Sequence, residues 1–254
     1  MSSTSPIILV LGSGPNVGQH VARAFASRGY RVALTSRNPS EKNGTEQLHI
    51  QSDLSNPDCV SDVFSKVKQS LGIPSVVVYN AAAATRNDAE NPLSLSQADF
   101  IRDFNVNTAS VFAAAKLAAI GFSELPDTAS KTFIYTGNIL NTTIIAPLLS
   151  LGVGKSATAH IIHSAAAAYS DRGFKCVFFD SLNIVIIANV ETPDFTMLMN
   201  ANLMELQPMG ILTDKRMANS TFTSPAEIHK VLGSRLLSRI SVTKGFQINE
   251  LCEY

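Results

Sequence analysis

Residues 7–18 read Ile-Ile-Leu-Val-Leu-Gly-Ser-Gly-Pro-Asn-Val-Gly, and this stretch decides the fold expected of the chain. A short apolar run leads into glycines at positions 12, 14 and 18, and an amphipathic stretch follows over residues 19–28. A buried strand that enters a helix through such a turn brings backbone N–H groups and the positive helix end onto a pyrophosphate. Glycine also lets a ligand approach the backbone closely. The stretch predicts a dinucleotide-binding βα unit, with an ordinary tight βα turn as the alternative.

The end of the second predicted strand indicates which dinucleotide is bound. The apolar run 31–35 ends in Ser36-Arg37 and not in an acidic residue. Asp or Glu at this place would bond the ribose 2′-hydroxyl, whereas arginine accommodates a 2′-phosphate. Arg37 therefore favours NADP(H) over NAD(H), and a solvated surface arginine is the alternative.

Apolar strands and amphipathic helices alternate through about residue 180. The predicted strands lie near 7–11, 31–35, 48–50, 76–79, 131–136 and 175–179. The predicted helices lie near 16–28, 57–71, 96–121 and 151–170. Such alternation is typical of a parallel sheet with helices on both faces. A chain of 254 residues can form this sheet as one domain, residues 1–254, with a sizeable core.

Further motifs resemble those of the short-chain dehydrogenase/reductase family, in the family's order and over nearly the whole chain. Residues 11–18 resemble its Thr-Gly-x-x-x-Gly-Ile-Gly turn, with Asn16 in place of the middle glycine. Asparagine tolerates the left-handed conformation better than most residues, so this departure is mild. Asp53-Leu54 matches the family's adenine-contacting Asp-Val pair. Asn80-Ala-Ala82 matches the Asn-Ala-Gly that braces the central sheet.

The second half of the chain continues the resemblance. Residues 105–112 match the family segment whose asparagine kinks a helix, which places that role on Asn107. Residues 223–228 and 242–248 resemble its last helix and last strand. The resemblance implies an α/β fold, namely a Rossmann-like, doubly wound parallel sheet in a single domain.

The resemblance also implies an NADP(H) site. Thr192, in Val190-Glu-Thr-Pro193, would bond the nicotinamide amide, although the Pro-Gly pair that precedes this motif in the family is absent and the alignment of residues 180–191 stays open. The expected cofactor-binding residues are Gly12, Ser13, Gly14, Asn16, Val17, Gly18, Ser36, Arg37, Asp53, Leu54, Asn80, Ala81, Ala82, Thr136, Lys155 and Thr192.

The chain departs from the family where the chemistry takes place. The family uses a serine, a tyrosine, a lysine four residues after the tyrosine, and an asparagine that holds a water relay. Here Gly137 stands at the serine's place and Leu151 at the tyrosine's, while Lys155 and Asn107 are kept. No tyrosine lies between residues 136 and 168 that a shifted alignment could use. Lys155 is expected to act more as a ribose binder than as a base.

Asn138 completes the candidate catalytic set of Asn107, Lys155 and Asn138. It follows the fifth predicted strand, where a side chain could point at a substrate. Loop or cap hydrogen bonding is the alternative for Asn138, as it is for Thr136 and Asn141.

The missing donors limit the reaction. Hydride delivery to a neutral carbonyl builds an alkoxide, and positioned acid–base help is worth roughly 10²–10⁴ in rate. Hydride transfer to a cationic iminium builds no such anion. The sequence therefore predicts an NADP(H)-dependent reductase that acts on an iminium or a polarised double bond. The alternatives are a non-redox cyclase or isomerase, for example one that is Diels–Alderase-like, and a catalytically silent nucleotide-binding protein. The chain resembles reductase relatives of fungal alkaloid pathways that lack Ser and Tyr, some of which are joined to cyclisation.

Residues 194–222 are predicted to form a substrate lid. Five of the six methionines fall in this segment, and methionine suits apolar surfaces that re-pack on a ligand. A bulky, largely apolar metabolite is the expected substrate, with an amphipathic core helix as the alternative. The alanine-rich faces 113–119 and 165–168 suit close helix contact, and the family commonly pairs through these helices, so a homodimer or homotetramer is expected.

Composition excludes several classes of partner. The chain has 20 basic and 20 acidic residues and no polybasic run, so neither nucleic acid nor a membrane surface is expected as a partner. The apolar run 7–11 has no basic flank, which argues against a signal peptide. The three cysteines at 59, 176 and 252 lack metal-ligand spacing. They predict reduced thiols in a cytoplasmic protein without a metal site.

Overall fold

The structure, a computed structural model, describes residues 5–38 and 47–180. The strands in this part of the chain are β1 Ile7–Leu11, β2 Arg31–Ser36, β3 Gln47–Gln51, β4 Val76–Tyr79, β5 Thr132–Gly137 and β6 Lys175–Asp180. They form one sheet in the order β3-β2-β1-β4-β5-β6, and every neighbouring pair is parallel. The strand order reverses between β1 and β4, and a ligand cleft is expected at the carboxyl ends of these strands. The predicted Rossmann-like, doubly wound parallel sheet is confirmed.

In the described part of the chain, helices connect β1 to β2, β3 to β4, β4 to β5 and β5 to β6, as parallel crossovers require. They are α1 Val17–Ala26, α2 Cys59–Ser70, α3 Gln97–Phe104, α4 Ser110–Glu124 and α5 Leu149–Tyr169. The sequence predicts one helix over 96–121, but the structure inserts a π-helical turn, Asn105–Ala109, between α3 and α4. Short 3₁₀ turns lie at Pro92–Ser94, Ile139–Asn141, Ala146–Leu148 and Ser170–Arg172.

Both faces of the sheet are buried, which explains why its strands are nearly continuous apolar runs. Successive residues of a strand point to opposite faces. On one face α1 packs against the sheet through the buried residues Val21, Ala22 and Phe25. The other face is covered by α2, α4 and α5, whose buried residues include Val63, Val111 and Ile162. Packing on both faces of the sheet fixes the ends of the strands, where the candidate site lies.

One helical run among the described residues, Gln97–Glu124, is long and apolar enough to cross a membrane by length and composition. Its core side is buried, with Val111, Ala114 and Phe122 against the sheet. This is the packing of a core helix, and the run gives no argument for a membrane span.

Several predictions fall on residues outside the described ranges. These are Thr192, the lid segment 194–222, the motifs at 223–228 and 242–248, and Cys252. The described residues themselves lie in one compact unit. The assignment of residues 1–254 to a single domain stays a prediction.

Candidate active site

A cleft opens at the carboxyl ends of β1, β2 and β4, where the strand order reverses. Its cavity measures about 620 Å³. Most residues that the sequence predicts to bind cofactor line it, namely Gly12, Ser13, Gly14, Ser36, Arg37, Asp53, Leu54, Asn80, Ala81 and Ala82. Asn16, Val17 and Gly18 lie at the start of α1 behind the glycine turn. Thr136 and Lys155 lie apart from this set, at the end of β5 and on α5.

The glycines of the first turn are required for two different reasons. Gly12 has φ +93°, and a Cβ there would lie 2.5 Å from the backbone nitrogen of Ala81. A Cβ on Gly18 would lie 2.6 Å from the carbonyl oxygen of Gly12. A Cβ on Gly14 would meet nothing within 4 Å. Gly12 and Gly18 therefore allow the turn to close, whereas Gly14 leaves open space beside the cleft for a ligand.

Asn16 does not use the left-handed conformation that the sequence suggested for it. Its φ is −85°, outside the left-handed region, so that part of the interpretation is wrong. Asn16 is the N-terminal flanking residue of α1, and its carbonyl oxygen accepts a hydrogen bond from the ring of His20 at 2.9 Å.

Opposite charges meet at the end of the cleft beside β2 and β3. Arg37 is exposed directly after β2. Asp53 accepts a hydrogen bond from the backbone N–H of Ser55 at 3.0 Å. Hydrogen bonding from the backbone N–H and the hydroxyl of Ser55, together with the guanidinium of Arg37, lowers the pKa of Asp53. The cleft thus offers a cation next to the end of β2 and a carboxylate next to the end of β3.

Asn80 ties two strand ends together. Its side-chain Nδ2 donates to the carbonyl oxygen of Gly12 at 3.0 Å, and its backbone N–H donates to that of Leu11 at 2.8 Å. The end of β4 is thereby fixed against the glycine turn. This is the bracing contact that the resemblance implies for Asn80.

Asn107 lies in the π-helical turn and is buried. Its Oδ1 accepts from the backbone N–H of Ala83 at 3.1 Å, and its Nδ2 donates to the carbonyl oxygen of Ala83 at 2.7 Å. Its own backbone carbonyl accepts from the hydroxyl of Thr158 at 2.6 Å. A Cβ on Gly154 would lie 2.4 Å from Cβ of Asn107, so α5 approaches this turn closely because residue 154 is glycine. These contacts make Asn107 a brace between three segments, and its part in a proton relay stays a prediction.

Lys155 is almost fully buried on α5, with 4% of its surface exposed. Its Nζ donates to the carbonyl oxygen of Thr136 at 2.8 Å and lies 4.7 Å from the ring centroid of Tyr135. Leu151 lies one turn earlier on the same helix and has no polar side-chain atom. Among the described residues, the buried hydroxyl of Thr136 has no hydrogen-bond partner. The structure therefore places an ammonium group near the end of β5 without a hydroxyl at position 151.

Asn138 follows β5 directly. Its Oδ1 accepts from the backbone N–H of Leu140 at 3.0 Å, which caps the 3₁₀ turn Ile139–Asn141. This is the capping contact that the sequence leaves open as the alternative to a substrate contact.

A buried carboxylate that the sequence analysis missed holds the start of α5. Asp103, on α3, is fully buried and accepts from the hydroxyl of Ser150 at 2.7 Å and from the backbone N–H of Thr85 at 2.6 Å. Arg102 donates to its other oxygen at 3.1 Å. Burial acts to raise the pKa of Asp103, but these hydrogen bonds outweigh it and the pKa is lowered. An ionised carboxylate therefore fixes the first turn of α5 against the segment after β4.

Asn87 forms a second link between the same two segments. Its Oδ1 accepts from the backbone N–H of Leu149 at 3.0 Å, and its Nδ2 donates to the carbonyl oxygen of Ala146 at 2.8 Å. Asn87 thus caps α5 from a distant part of the chain, because Leu148, the residue before the helix, makes no side-chain cap. Leu151 is therefore carried on a helix start that is held from two sides.

The described residues contain no group of three His, Cys, Asp or Glu side chains that could hold a metal ion. Cys59 and Cys176 are both free thiols. Burial raises the pKa of Cys176 to about 11, so this thiol stays protonated and packs as an apolar group.

Comparisons with known proteins identify the family. A family model described as enoyl-(acyl carrier protein) reductase matches residues 13–218. The short chain dehydrogenase/reductase dmxR12 of a Cryptosporiopsis strain is 43% identical over 188 residues, which cover 70% of this chain and 76% of that protein. The chain is a short-chain dehydrogenase/reductase. The family resemblance seen in the sequence is therefore confirmed.

This short-chain dehydrogenase/reductase is also similar to versicolorin reductase stcU of Emericella nidulans, at 25% identity over 197 residues, covering 74% of the chain and 67% of the relative. Solved structures share its fold. A short-chain dehydrogenase/reductase from Mycobacterium marinum superposes with a TM-score of 0.61 at 22% identity, covering 69% of this chain and 74% of that one.

Two further solved structures contain nicotinamide cofactors. The 4-hydroxyisoleucine dehydrogenase complexed with NADH has a TM-score of 0.61 at 16% identity, covering 68% of this chain and 74% of that one. BdcA in complex with NADPH has a TM-score of 0.56 at 21% identity, covering 70% of this chain and 69% of that one. At these identities the likeness shows the fold alone.

Proposed function

We propose that this short-chain dehydrogenase/reductase transfers a hydride from NADPH to an iminium carbon or a polarised double bond of a bulky, largely apolar metabolite. The observation behind the proposal is a cleft that gathers most of the expected cofactor-binding residues, combined with a leucine at position 151. Lys155 lies one turn later, and residue 151 offers it no hydroxyl as a partner. This combination supports cofactor binding without the acid–base chemistry of the family's tyrosine.

The nearby tyrosines do not replace the missing donor. Tyr135 and Tyr79 are fully buried. The hydroxyl of Tyr79 donates to the carbonyl oxygen of Val106 at 2.6 Å, and the ring of Tyr135 packs against that of Tyr79. Burial raises the pKa of both phenols. Neither hydroxyl is exposed to a substrate, so neither tyrosine can donate a proton to the acceptor as the hydride arrives.

The cleft fits a dinucleotide by its own geometry. The open space beside Gly14 leaves room for a pyrophosphate close to the backbone, where the glycine turn and the N-terminus of α1 supply positive partial charge. Arg37 would contact the 2′-phosphate, and Lys155 would contact the nicotinamide ribose. When bound, NADPH supplies the hydride. The preference for NADPH over NADH is supported by Arg37 and by the absence of an acid at residues 36–38.

The relatives support reduction of a metabolite. The name of the Emericella nidulans relative is versicolorin reductase, and the relatives in Cryptosporiopsis and Emericella support a place in fungal secondary metabolism. The iminium or polarised double bond is inferred from this chain's own residues. Hydride transfer to an iminium gives a neutral amine, and transfer to a conjugated double bond gives an enolate, which is a weaker base than the alkoxide formed from a ketone. Both acceptors therefore depend less on a positioned proton donor.

A non-redox cyclisation is the second candidate. The observation in its favour is that the polar groups of Asn107 are hydrogen-bonded within the protein. Its amide is bonded to Ala83 and its carbonyl to Thr158. A pocket with a leucine at position 151 can still orient an apolar substrate for ring closure.

We also propose that two copies pair through the outer faces of α4 and α5. Phe112 and Ile120 on α4 are 56% and 53% exposed, which is high for large apolar side chains of a core helix. A groove of about 560 Å³ between α4 and α5 is lined by these two residues and by alanines on both helices. Small side chains let two helix pairs approach closely.

The two free cysteines, Cys59 and Cys176, support a cytoplasmic protein.

Isotope transfer tests the proposed reaction. The protein would be incubated with NADPH carrying deuterium at both C4 positions and either N-methyl-3,4-dihydroisoquinolinium or a cyclic enone. The product mass would be measured beside the loss of absorbance at 340 nm. A product heavier by one deuterium supports hydride transfer. Consumption of a substrate without deuterium gain or loss of absorbance would favour cyclisation, and no reaction of any tested acceptor would contradict the reductase.

A further inference from the structure

Tyr135 lies beneath the buried ammonium group of Lys155. Nζ of Lys155 is 4.7 Å from the centroid of the Tyr135 ring and 2.8 Å from the carbonyl oxygen of Thr136. Burying a cation is costly unless negative or dipolar groups compensate. The face of an aromatic ring attracts a cation within about 6 Å of its centroid. The ring and the carbonyl, which belong to consecutive residues of β5, together hold the charge.

The ring of Tyr135 is itself fixed in place. Tyr135 is fully buried in β5, within the core cluster that also contains Ile162 of α5. The ring of Tyr79 packs at 6.3 Å between centroids. Buried side chains therefore surround the ring of Tyr135, and they would have to move for its face to turn away from Lys155.

This arrangement can compensate for the absence of the family's tyrosine at position 151. In the family pattern the lysine acts together with a tyrosine hydroxyl one turn before it, but Leu151 provides no oxygen there. We propose that Tyr135 is a positioning residue whose ring face holds Lys155 at the nicotinamide ribose in place of that hydroxyl. The proposal rests on the cofactor binding of the proposed function and adds a role for a residue that touches neither cofactor nor substrate.

Two substitutions separate the ring face from the hydroxyl. Tyr135→Phe keeps the face and loses the hydroxyl, whereas Tyr135→Leu loses both. The dissociation constant of NADPH would be measured by fluorescence titration. It should change by less than about twofold in Tyr135→Phe and rise about three- to tenfold in Tyr135→Leu, as expected for a partly desolvated cation–π contact. Binding of 2′,5′-ADP, which lacks the nicotinamide ribose, should stay the same in both variants.

A double-mutant cycle distinguishes positioning of Lys155 from a general effect on the fold. In the Lys155→Met background, Tyr135→Leu should not weaken NADPH binding further, because the ammonium on which the ring acts is gone. If Tyr135→Leu does not fold, Tyr135→Met fills similar space without an aromatic face and takes its place. Melting curves of each variant confirm that folded protein is compared.

Each result decides between the two proposals. Equal NADPH affinity in the Phe and Leu variants, or an equal loss from Tyr135→Leu in the presence and absence of Lys155, would overturn the positioning role and leave the reductase standing. The predicted affinities without turnover of any acceptor would overturn the reductase and leave the positioning role standing. Failure of the unchanged protein to bind NADPH would overturn both.

Discussion

Replacing Asp103 tests the network that holds the start of α5. Asp103→Ala removes a fully buried carboxylate and leaves the hydroxyl of Ser150 and the backbone N–H of Thr85 without their acceptor. Leaving the buried hydroxyl of Ser150 unpaired costs about 1–3 kcal/mol, and the partly buried N–H of Thr85 adds a smaller cost. The free energy of unfolding should therefore fall by about 2–4 kcal/mol. Arg102 adds little, because solvent screens an ion pair whose basic side chain is 51% exposed.

Urea unfolding followed by circular dichroism at pH 7 measures this loss. Asp103→Asn keeps the size and one acceptor oxygen and should fall between the unchanged protein and Asp103→Ala. Asp99→Asn is the matched control, because Asp99 pairs with the same Arg102 at 2.7 Å but its side chain is 36% exposed, whereas that of Asp103 is fully buried. It should cost less than about 1 kcal/mol. A loss of less than about 1 kcal/mol in Asp103→Ala would refute the reasoning.

The pH dependence follows from the direction of the pKa shift. The pKa of Asp103 is lower in the folded protein than its ordinary value of 3.8, because its hydrogen bonds outweigh burial. A group with a depressed folded pKa contributes stability above its unfolded pKa and loses it as the pH falls through the folded pKa. The stability difference between the unchanged protein and Asp103→Asn should therefore be constant near neutral pH and shrink below about pH 4. A difference that grows on acidification would contradict this assignment.

Four further predictions concern the cofactor and assembly. Arg37→Ala should weaken NADPH binding about tenfold and leave NADH binding unchanged by titration, as loss of one exposed charged contact does; equal affinity for both cofactors before mutation would contradict it. Gly14→Ala should weaken NADPH binding with little change in melting temperature, whereas Gly18→Ala should lower the melting temperature because its Cβ meets backbone. Lys155→Ala should raise the apparent cofactor KM more than it lowers kcat, and the reverse would make Lys155 the acid–base group. Phe112→Glu should sediment as a monomer at micromolar concentration, whereas the unchanged protein should not; a monomeric unchanged protein would contradict the proposed pairing.

The sequence predicts the fold because its signals are local. The continuous apolar run 7–11 marks the buried strand β1. The glycines that follow mark the turn into α1, and the structure requires glycine at positions 12 and 18. Motif order then places Asn80 and Asp53 at the same edge of the sheet, where both line the cleft. The single helix predicted over 96–121 is interrupted by a π turn, which apolar periodicity does not mark because residues on both sides continue as helix.

The contacts that brace the active site could not be predicted in this way. Asp103 meets Ser150 across 47 residues of chain, and Thr158 meets the carbonyl of Asn107 across 51. No local pattern distinguishes a helical aspartate that faces solvent from one that faces a buried hydroxyl. Asn87 likewise has the composition of a loop residue and caps a helix 62 residues later. Such roles depend on which helices the folded sheet brings together.

Restoring the missing tyrosine tests the central claim most directly, namely that this site transfers hydride without a proton donor at position 151. The rates of NADPH oxidation with N-methyl-3,4-dihydroisoquinolinium and with α-tetralone, a neutral ketone, would be compared in the unchanged protein, Leu151→Tyr and the shape control Leu151→Phe. The account predicts iminium reduction without ketone reduction in the unchanged protein and the Phe variant. It predicts ketone reduction only in Leu151→Tyr, where the rate should rise toward the roughly 10²–10⁴-fold enhancement that a positioned acid contributes. Brisk ketone reduction by the unchanged protein, unaltered in Leu151→Tyr, would contradict the account.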